Sequence, residues 1–556
     1  MRALPIKPLA PIVILAGALC AQAPDAVLLN AKIVTVDTNS SIAQALAIRG
    51  GRISAVGTTA DIRKLAAPQT RVIDLAGRTV IPGLIDSHMH AIRAALSFST
   101  EVNWIGARSL SEAMGRIKEA SRTRKPGSWL IVAGGWNVGQ FKENRRPTQA
   151  ELEAAAPQNP TYVQLGYGWA VMNSLGMRTL GIKSDADLPA GGKLDRDPSG
   201  KILGSVTGSQ TAIVDLFDKL PKPNFDQQVD GTVKFFRELN RLGLTGVGDP
   251  GGNNVGPDEY QAVQKVWHDG KLTVRIAYTV NGQIPGEEIT DLRNLTRGTP
   301  YGFGDDMLRF IGIGERVTFA MNNNDKPSAA DKKKYEQIME WAAEHGLSVT
   351  MHWNRDASVD ELLKIFEEVN SEVSIKNLRW SIAHLNDASE KTLLRMKALG
   401  MGWTIQDAMY FDGDNYVKQN GAAAARRVPP VVTAKRLGVN VGAGTDAHRV
   451  ASYNPFTALQ WMLDGKTVSG NAIRGPEETP SRMDALRMYT LGSAWFSKDE
   501  SKRGSLEAGK YADLAVLNKD FMTVPVEQVG ATESVLTMVA GKVVYAAGPF
   551  AAMEAR

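Results

Sequence analysis

The feature that most restricts the fold of this chain is an alternation of strand-like and helix-like segments along most of its length. Segments with helical apolar periodicity recur between short apolar runs rich in β-branched residues. Eight such runs can be counted, the first of which ends at Asp86, and the other seven are 245–247, 272–278, 308–313, 348–351, 379–383, 402–405 and 440–443. Eight strands alternating with helices predict a parallel (β/α)8 barrel of the TIM type, in the α/β class.

The count of eight treats residues 98–240 as an insertion after the first barrel strand. Short strands with tight turns precede Thr79 and reappear after residue 501, which predicts one small β-sandwich built from both ends of the chain. The predicted domain boundaries are therefore 1–23 for a signal segment, 24–79 and 501–556 for the two parts of the sandwich, and 80–500 for the barrel with its insertion.

The amino-terminal segment has the pattern of a secretory signal. Arg2 and Lys7 precede an apolar run, and Ala21-Gln22-Ala23 offers a small-residue cleavage site. We therefore expect export and a periplasmic or secreted protein. Lipid anchoring at Cys20 is the second alternative, less favoured because Leu19 is bulky. The run is too short to span a membrane, and a single cysteine excludes an intrachain disulfide.

Composition limits the classes of partner. The formal charge of +5 is small for 556 residues, and no dense basic run with interleaved aromatic residues occurs. Nucleic acid is therefore not expected as a partner. A small-molecule substrate is expected, and a homo-oligomer is left open.

The ends of the predicted barrel strands carry side chains that bind metals. His88 and His90 follow the first strand, and residues two apart on a strand face the same side. Two such imidazoles can bind one Zn²⁺ at about 2.0–2.1 Å. Four of the seven histidines lie at strand ends, and the full set there is His88, His90, Asp249, Glu315, His352, His384 and Asp446. Because reactive groups of such barrels lie at the carboxyl ends of the strands, this pattern predicts a metal site.

Several motifs, in this order, resemble those of the amidohydrolase superfamily, and in particular its YtcJ-like, or amidohydrolase 3, branch. They are IPGLIDSHMH, LGLTGVGDP, GLSVTMH, LRWSIAHL, VGAGTDAH, GSLEAGKYADLAVL and VAGKVVY, with GGWNVGQF and AVMNSLGM inside the insertion. The resemblance spans roughly residues 27–545. It implies the barrel counted above and a metal-dependent hydrolase of C–N or C–O bonds.

The resemblance also implies roles for individual residues. His88, His90, His352, His384 and Asp446 match the family's metal ligands, and Asp446 also matches its general base.

Many relatives place a carboxylated lysine at the end of strand four, where this chain has Glu315 in LRFIGIGERV. Glu315 is interpreted as a ligand that bridges two metals; the alternatives are an exposed ion pair with Arg316 and a site with one metal. One or two Zn²⁺ ions are expected, and another divalent transition metal is left open. Asn137 stands where the branch usually has Asp.

The expected function is hydrolysis of a C–N bond of the amide, N-acyl or cyclic imide type. The alternatives are a metal-dependent decarboxylase or lyase that uses the same site, and a binding or regulatory relative with impaired catalysis. Trp136 and Trp169 are expected to contact substrate if the insertion covers the barrel mouth, and the alternative is that they fill the insertion's own core. His448 is a further candidate for substrate contact.

Overall fold

The computed structural model describes residues 23–252, 255–323 and 326–554. All but the last residue of the predicted signal segment lie outside these ranges. Within the described ranges, no helix combines the length and the apolar character that crossing a membrane requires.

The eight barrel strands form one parallel sheet in chain order, which confirms the predicted fold class. Ser87 N donates to the Ala443 carbonyl at 3.0 Å, and Asp446 N to the His88 carbonyl at 2.8 Å, so the eighth strand lies beside the first. The strands are Leu84–Asp86, Leu244–Asp249, Arg275–Val280, Leu308–Ile313, Ser348–Trp353, Ser381–His384, Gly402–Gln406 and Asn440–Gly444.

The stretch before His88 contains two strands in different sheets. Thr79–Pro82 pairs within the sandwich, and Leu84–Asp86 opens the barrel. Gly83 between them lies so close to barrel strand two that an added Cβ would approach Thr245 Oγ1 to 2.2 Å. The break between the domains therefore falls at Pro82-Gly83, and a larger residue at position 83 would collide with the barrel.

The sandwich joins the two ends of the chain. Leu514–Leu517 pairs antiparallel with Thr79–Pro82, so residues far apart in sequence share one sheet. That six-stranded sheet has the order Lys542–Ala546, Ser534–Val539, Leu514–Leu517, Thr79–Pro82, Lys32–Val34 and Ile42–Ala43. The four-stranded sheet has the order Arg52–Gly57, Ala45–Arg49, Ala26–Leu29 and Arg71–Asp74.

The insertion has its own five-stranded sheet and its own apolar clusters. The sheet has the order Gly192–Arg196, Ile202–Gly208, Trp169–Met172, Thr161–Leu165 and Leu130–Val132. Helix Phe225–Arg241 packs on helix Ala91–Ser97, and Gly231 permits close contact with the Ala95 carbonyl. The helix Phe225–Arg241 then leads into barrel strand two.

The α-helices, in chain order, are Thr59–Arg63, Ala91–Ser97, Leu110–Thr123, Gln149–Ala155, Ser174–Thr179, Gln210–Asp218, Phe225–Arg241, Gln261–His268, Glu288–Leu295, Ala329–Glu344, Val359–Glu372, Glu390–Ala398, Ala408–Asn420, Ala422–Ala425, Val431–Leu437, Pro455–Asp464, Arg482–Met488 and Leu491–Ala494.

A buried ion pair connects the barrel with the sandwich. Arg275 Nε lies 2.7 Å from Asp513 Oδ2, and both side chains are at most 5% exposed. We expect Asp513→Asn to lower the free energy of unfolding by roughly 3–5 kcal/mol, because it leaves a buried guanidinium without its counter-charge. Asp230→Asn, which breaks the exposed pair with Lys234, should cost less than about 1 kcal/mol. Equal denaturation midpoints of the two variants would contradict this expectation.

Candidate metal centre

The Glu315 carboxylate lies at the centre of the four strand-end histidines. Glu315 Oε2 is 3.2 Å from His88 Nε2, 3.2 Å from His352 Nδ1 and 3.3 Å from His384 Nε2. Glu315 Oε1 is 3.2 Å from His90 Nε2. The carboxylate therefore connects the histidines of strand one with those of strands five and six.

Asp446 closes the cluster on the side of strand one. Its Oδ1 lies 3.2 Å from His90 Nε2 and 3.8 Å from His88 Nε2. Within the described residues, three overlapping groups have ligand atoms within 4.8 Å of one another: His88, His90 and Glu315; Glu315, His352 and His384; and His88, His384 and Asp446. Two of the groups share Glu315, as a bridging ligand requires.

The chemistry of this donor set fits a divalent transition metal. His88 Nε2 is buried and, among the described residues, has no hydrogen-bond partner of acceptable geometry. Burial acts to raise the pKa of the Glu315 carboxyl, but His352, His384 and His88 outweigh it and hold that pKa well below its usual value. Ionised carboxylates and imidazole nitrogens are ligands of zinc and of similar metals.

The histidines differ in how readily they offer a neutral nitrogen. Burial and the neighbouring His352 lower the pKa of His384. Burial and Arg93 act to lower the pKa of His90, but its hydrogen bonds to Asp446 and Glu315 raise it to about 10. Binding of a cation at His90 would therefore release a proton.

Asp249, at the end of strand two, supports His90 from behind and does not join the cluster. Its carboxylate accepts hydrogen bonds from Ile92 N at 2.7 Å and Gly251 N at 2.9 Å. The Gly251 carbonyl in turn accepts a hydrogen bond from His90 Nδ1 at 2.5 Å. This contact fixes the ring so that Nε2 faces Glu315 and Asp446.

Asp86 holds the strand-one and strand-eight ligands together, a role that the sequence reasoning missed. Asp86 Oδ1 accepts a hydrogen bond from His88 N at 2.9 Å, and Oδ2 accepts one from Thr445 Oγ1 at 2.8 Å. The side chain is fully buried. Its place directly before Ser87-His88 was the available signal, because a buried aspartate needs local donors.

The glycines beside Glu315 permit close contact with strand five. An added Cβ at Gly314, where φ is +114°, would lie 1.9 Å from the Thr350 carbonyl oxygen. The Arg316 guanidinium lies over the Phe319 ring at 3.9 Å and donates from Nη2 to the Gly282 carbonyl at 3.2 Å. The Glu315 side chain, 15% exposed, thus faces the histidines and not solvent.

The structure places Trp136 and Trp169 in the core of the insertion, the alternative that the sequence had left open. Trp136 is 2% exposed, packs edge-on against Trp104, and donates its Nε1–H to the Gln164 carbonyl at 2.7 Å. Trp169 is 5% exposed and belongs to the same cluster. Tyr167, between strands Thr161–Leu165 and Trp169–Met172, borders an open cavity together with Phe217.

His448 faces the insertion side of the barrel mouth. Its Nε2 lies 2.9 Å from Glu101 Oε2, and the other Glu101 oxygen accepts a hydrogen bond from Ser97 Oγ at 2.5 Å. His448 Nδ1 is buried without a hydrogen-bond partner among the described residues. The residue thus lies beside the metal-ligand cluster and not within it.

Comparison with known proteins agrees with this geometry. The model of the amidohydrolase family matches residues 71–545. The N-substituted formamide deformylase of Arthrobacter pascens is 26% identical over 522 residues, which cover 90% of this chain and 94% of that protein.

Solved structures share the fold. An uncharacterized metal-dependent hydrolase of Pyrococcus horikoshii OT3 superposes with a TM-score of 0.65 at 20% identity, covering 90% of this chain and 99% of its own. Atrazine chlorohydrolase TrzN of Arthrobacter aurescens TC1, complexed with zinc, superposes with a TM-score of 0.53 at 17% identity, covering 94% and 95%. The family match extends over most of the chain, and the protein therefore belongs to the amidohydrolase family.

Proposed function

We propose that this protein hydrolyses an amide-type C–N bond of a small molecule at a centre of one or two divalent metal ions, zinc first among them. Membership of the amidohydrolase family makes it a metal-dependent hydrolase acting on C–N bonds. The observation that carries the finer proposal is the position of Glu315 within 3.3 Å of nitrogens from four histidines. A single carboxylate so placed can serve two neighbouring ions.

His88, His90, Glu315 and Asp446 would hold one ion, and Glu315, His352 and His384 a second. A metal bound by such ligands lowers the pKa of its water and polarises a carbonyl oxygen.

Asp446 is the proposed general base. It is ionised, because its hydrogen bond to His90 and the nearby His384 hold its pKa below the usual value despite burial. Asp446 would take the proton of the attacking water and return it to the departing nitrogen, which requires only hydrogen-bond reach.

A panel of substrates tests the reaction class. The relative from Arthrobacter pascens is named for formamides, so the panel should contain N-substituted formamides, N-acyl amino acids and cyclic imides. We expect metal-dependent hydrolysis products, with free amine from the open-chain amides, and no CO₂. Release of CO₂ without hydrolysis would support the decarboxylase alternative instead.

The metal content is a separate prediction. We expect one or two transition-metal ions per chain in the purified protein, and about half of that or less in His88→Ala/His90→Ala, because the double variant removes two ligands of one ion. Elemental analysis after reconstitution and desalting measures this. His268→Ala, at an exposed helical position, is the matched control. Equal metal content in all three proteins would contradict the proposed ligand set.

A further inference from the structure

A cavity of about 120 Å³ lies beside the metal-ligand cluster, between the barrel mouth and the insertion. Arg93 and Ser97 line it from the helix that follows His90, and Arg449 lines it from the segment that follows Asp446. Both arginines come three residues after a residue of the cluster. One helical turn rises only about 5.4 Å, so Arg93 lies close to His90.

The insertion forms the opposite wall of this cavity through Gln164, Tyr167 and Phe217. The Arg449 guanidinium stacks over the Phe217 ring at 4.0 Å, and its Nη1 donates to the Ala133 carbonyl at 3.3 Å. Residues of the insertion thus hold Arg449 in place beside the cavity. The insertion contributes to this site through these contacts.

Of the two arginines at the cavity, Arg449 is buried and Arg93 is half-buried, and the charges of both are incompletely neutralised. Arg449 is 8% exposed, and no carboxylate of the described chain forms an ion pair with it. Glu101, the nearby acid, forms its ion pair with His448, and its charge offsets only part of the burial that lowers the pKa of Arg449. Arg93 Nε is buried and has no hydrogen-bond partner among the described residues. A buried charge without a counter-ion is costly, which indicates that an anion completes this site.

The charges of the lining residues indicate a single negative charge on the ligand. Arg93, Lys222 and Arg449 contribute three positive charges, and Asp218 and Glu259 contribute two negative ones. The remainder is one positive charge. A carboxylate, with one negative charge, matches this remainder better than a dianionic phosphate ester, and guanidinium groups bind carboxylates through parallel hydrogen bonds.

We propose that this cavity binds a carboxylate of the substrate, so that the preferred amide carries a carboxylate a few bonds from the C–N bond that is cleaved. The assignment rests on the proposed hydrolysis at the metal centre. Arg449 and Arg93 would be the specificity-determining residues: they position the substrate without contacting the reacting atoms.

The test compares an N-acyl amino acid with its neutral carboxamide. Wild-type protein should favour the acid by about 10- to 100-fold in kcat/KM, the range of a charge-assisted hydrogen bond. Arg449→Gln should remove most of this preference, because KM should rise much more for the acid than for the carboxamide. Arg449→Lys should restore part of the preference. Equal rates for acid and carboxamide in wild-type protein would overturn the proposal, as would equal losses for both substrates in Arg449→Gln.

Further variants separate recognition from folding. Arg93→Gln, at a half-buried helical position, should also reduce the preference for the acid. Arg482→Gln is the matched control, because this arginine also lies over an aromatic ring, that of Phe521, but outside the cavity. If Arg482→Gln lowers the preference for the acid as much as Arg449→Gln does, the assignment is contradicted. Thermal unfolding of each variant shows whether it is folded.

A binding measurement distinguishes failure of this proposal from failure of the proposed hydrolysis. If no amide is cleaved by the metal-loaded protein, the hydrolysis proposal fails, and calorimetric titration with the N-acyl amino acid still tests the cavity. Wild-type protein should bind it about 10-fold or more tightly than Arg449→Gln does. Equal affinities would overturn the carboxylate site.

Discussion

Replacement of Asp446 by Asn is expected to lower kcat for amide hydrolysis by about 10²- to 10⁴-fold, the range for loss of a general base. Asn has nearly the same shape but cannot take a proton from water. Asp446 lies within 3.2 Å of His90 Nε2, at the mouth of the barrel, and its backbone N–H is bonded to the His88 carbonyl. The variant should therefore retain the fold of this segment and lose mainly the proton transfer.

Steady-state kinetics and metal analysis of Asp446→Asn separate the loss of a base from the loss of an ion. We expect the ion at Glu315, His352 and His384 to be retained, because none of these residues changes. Asp258→Asn, which removes an exposed carboxylate, is the matched control and should keep wild-type turnover. Turnover of Asp446→Asn within about threefold of wild type would exclude Asp446 as the base.

Glu315→Gln is expected to remove at least one ion and to lower turnover by about 100-fold or more. Loss of an outer residue that only supports a ligand already weakens metal binding by about 10- to 100-fold, and a shared ligand should matter at least as much. The amide keeps the size of the side chain but removes the negative charge that lies among four imidazoles. The measurement is metal stoichiometry together with kcat.

A thermal shift gives an independent test of Glu315. Added Zn²⁺ should raise the unfolding temperature of the metal-free wild-type protein, because a ligand that binds the native state stabilises it. The rise should be smaller in Glu315→Gln. Glu367→Gln, which removes an exposed carboxylate that is paired with Arg395 and lies outside the cluster, is the matched control. If metal stoichiometry, turnover and thermal shift are all unchanged in Glu315→Gln, Glu315 is not a metal ligand.

The barrel could be predicted from the sequence because its strands are short apolar runs that end in polar residues. The predicted fourth strand, 308–313, has the observed bounds, and strand two extends only to Asp249 beyond its predicted end. The break at Pro82-Gly83 was harder to predict, since Thr79–Pro82 and Leu84–Asp86 read as one apolar run. Thr79–Pro82 pairs with Leu514–Leu517, more than 400 residues away, whereas Leu84–Asp86 pairs with Leu244–Asp249.

The metal ligands could be predicted because the carboxyl ends of the barrel strands meet at one face, independently of the lengths of the loops that connect them. Asp249 was part of the strand-end set, but how it supports His90 was harder to predict, and Asp86 was not predicted, because both act largely through backbone atoms. Asp249 acts through the Gly251 carbonyl, and Asp86 binds the His88 amide. The aromatic residues of the insertion gave no pattern that separates core from pocket, and only the structure distinguishes Trp136 from Tyr167.

The most direct test of the metal centre is an anomalous-diffraction map of crystals grown with zinc. We expect one peak contacting His88, His90 and Asp446, and a second contacting His352 and His384, with Glu315 within bonding distance of both. A single peak in contact with Glu315 would mean that the proposed ligands bind one ion and not two. Absence of a peak at these side chains, or peaks that Glu315 does not contact, would contradict the account.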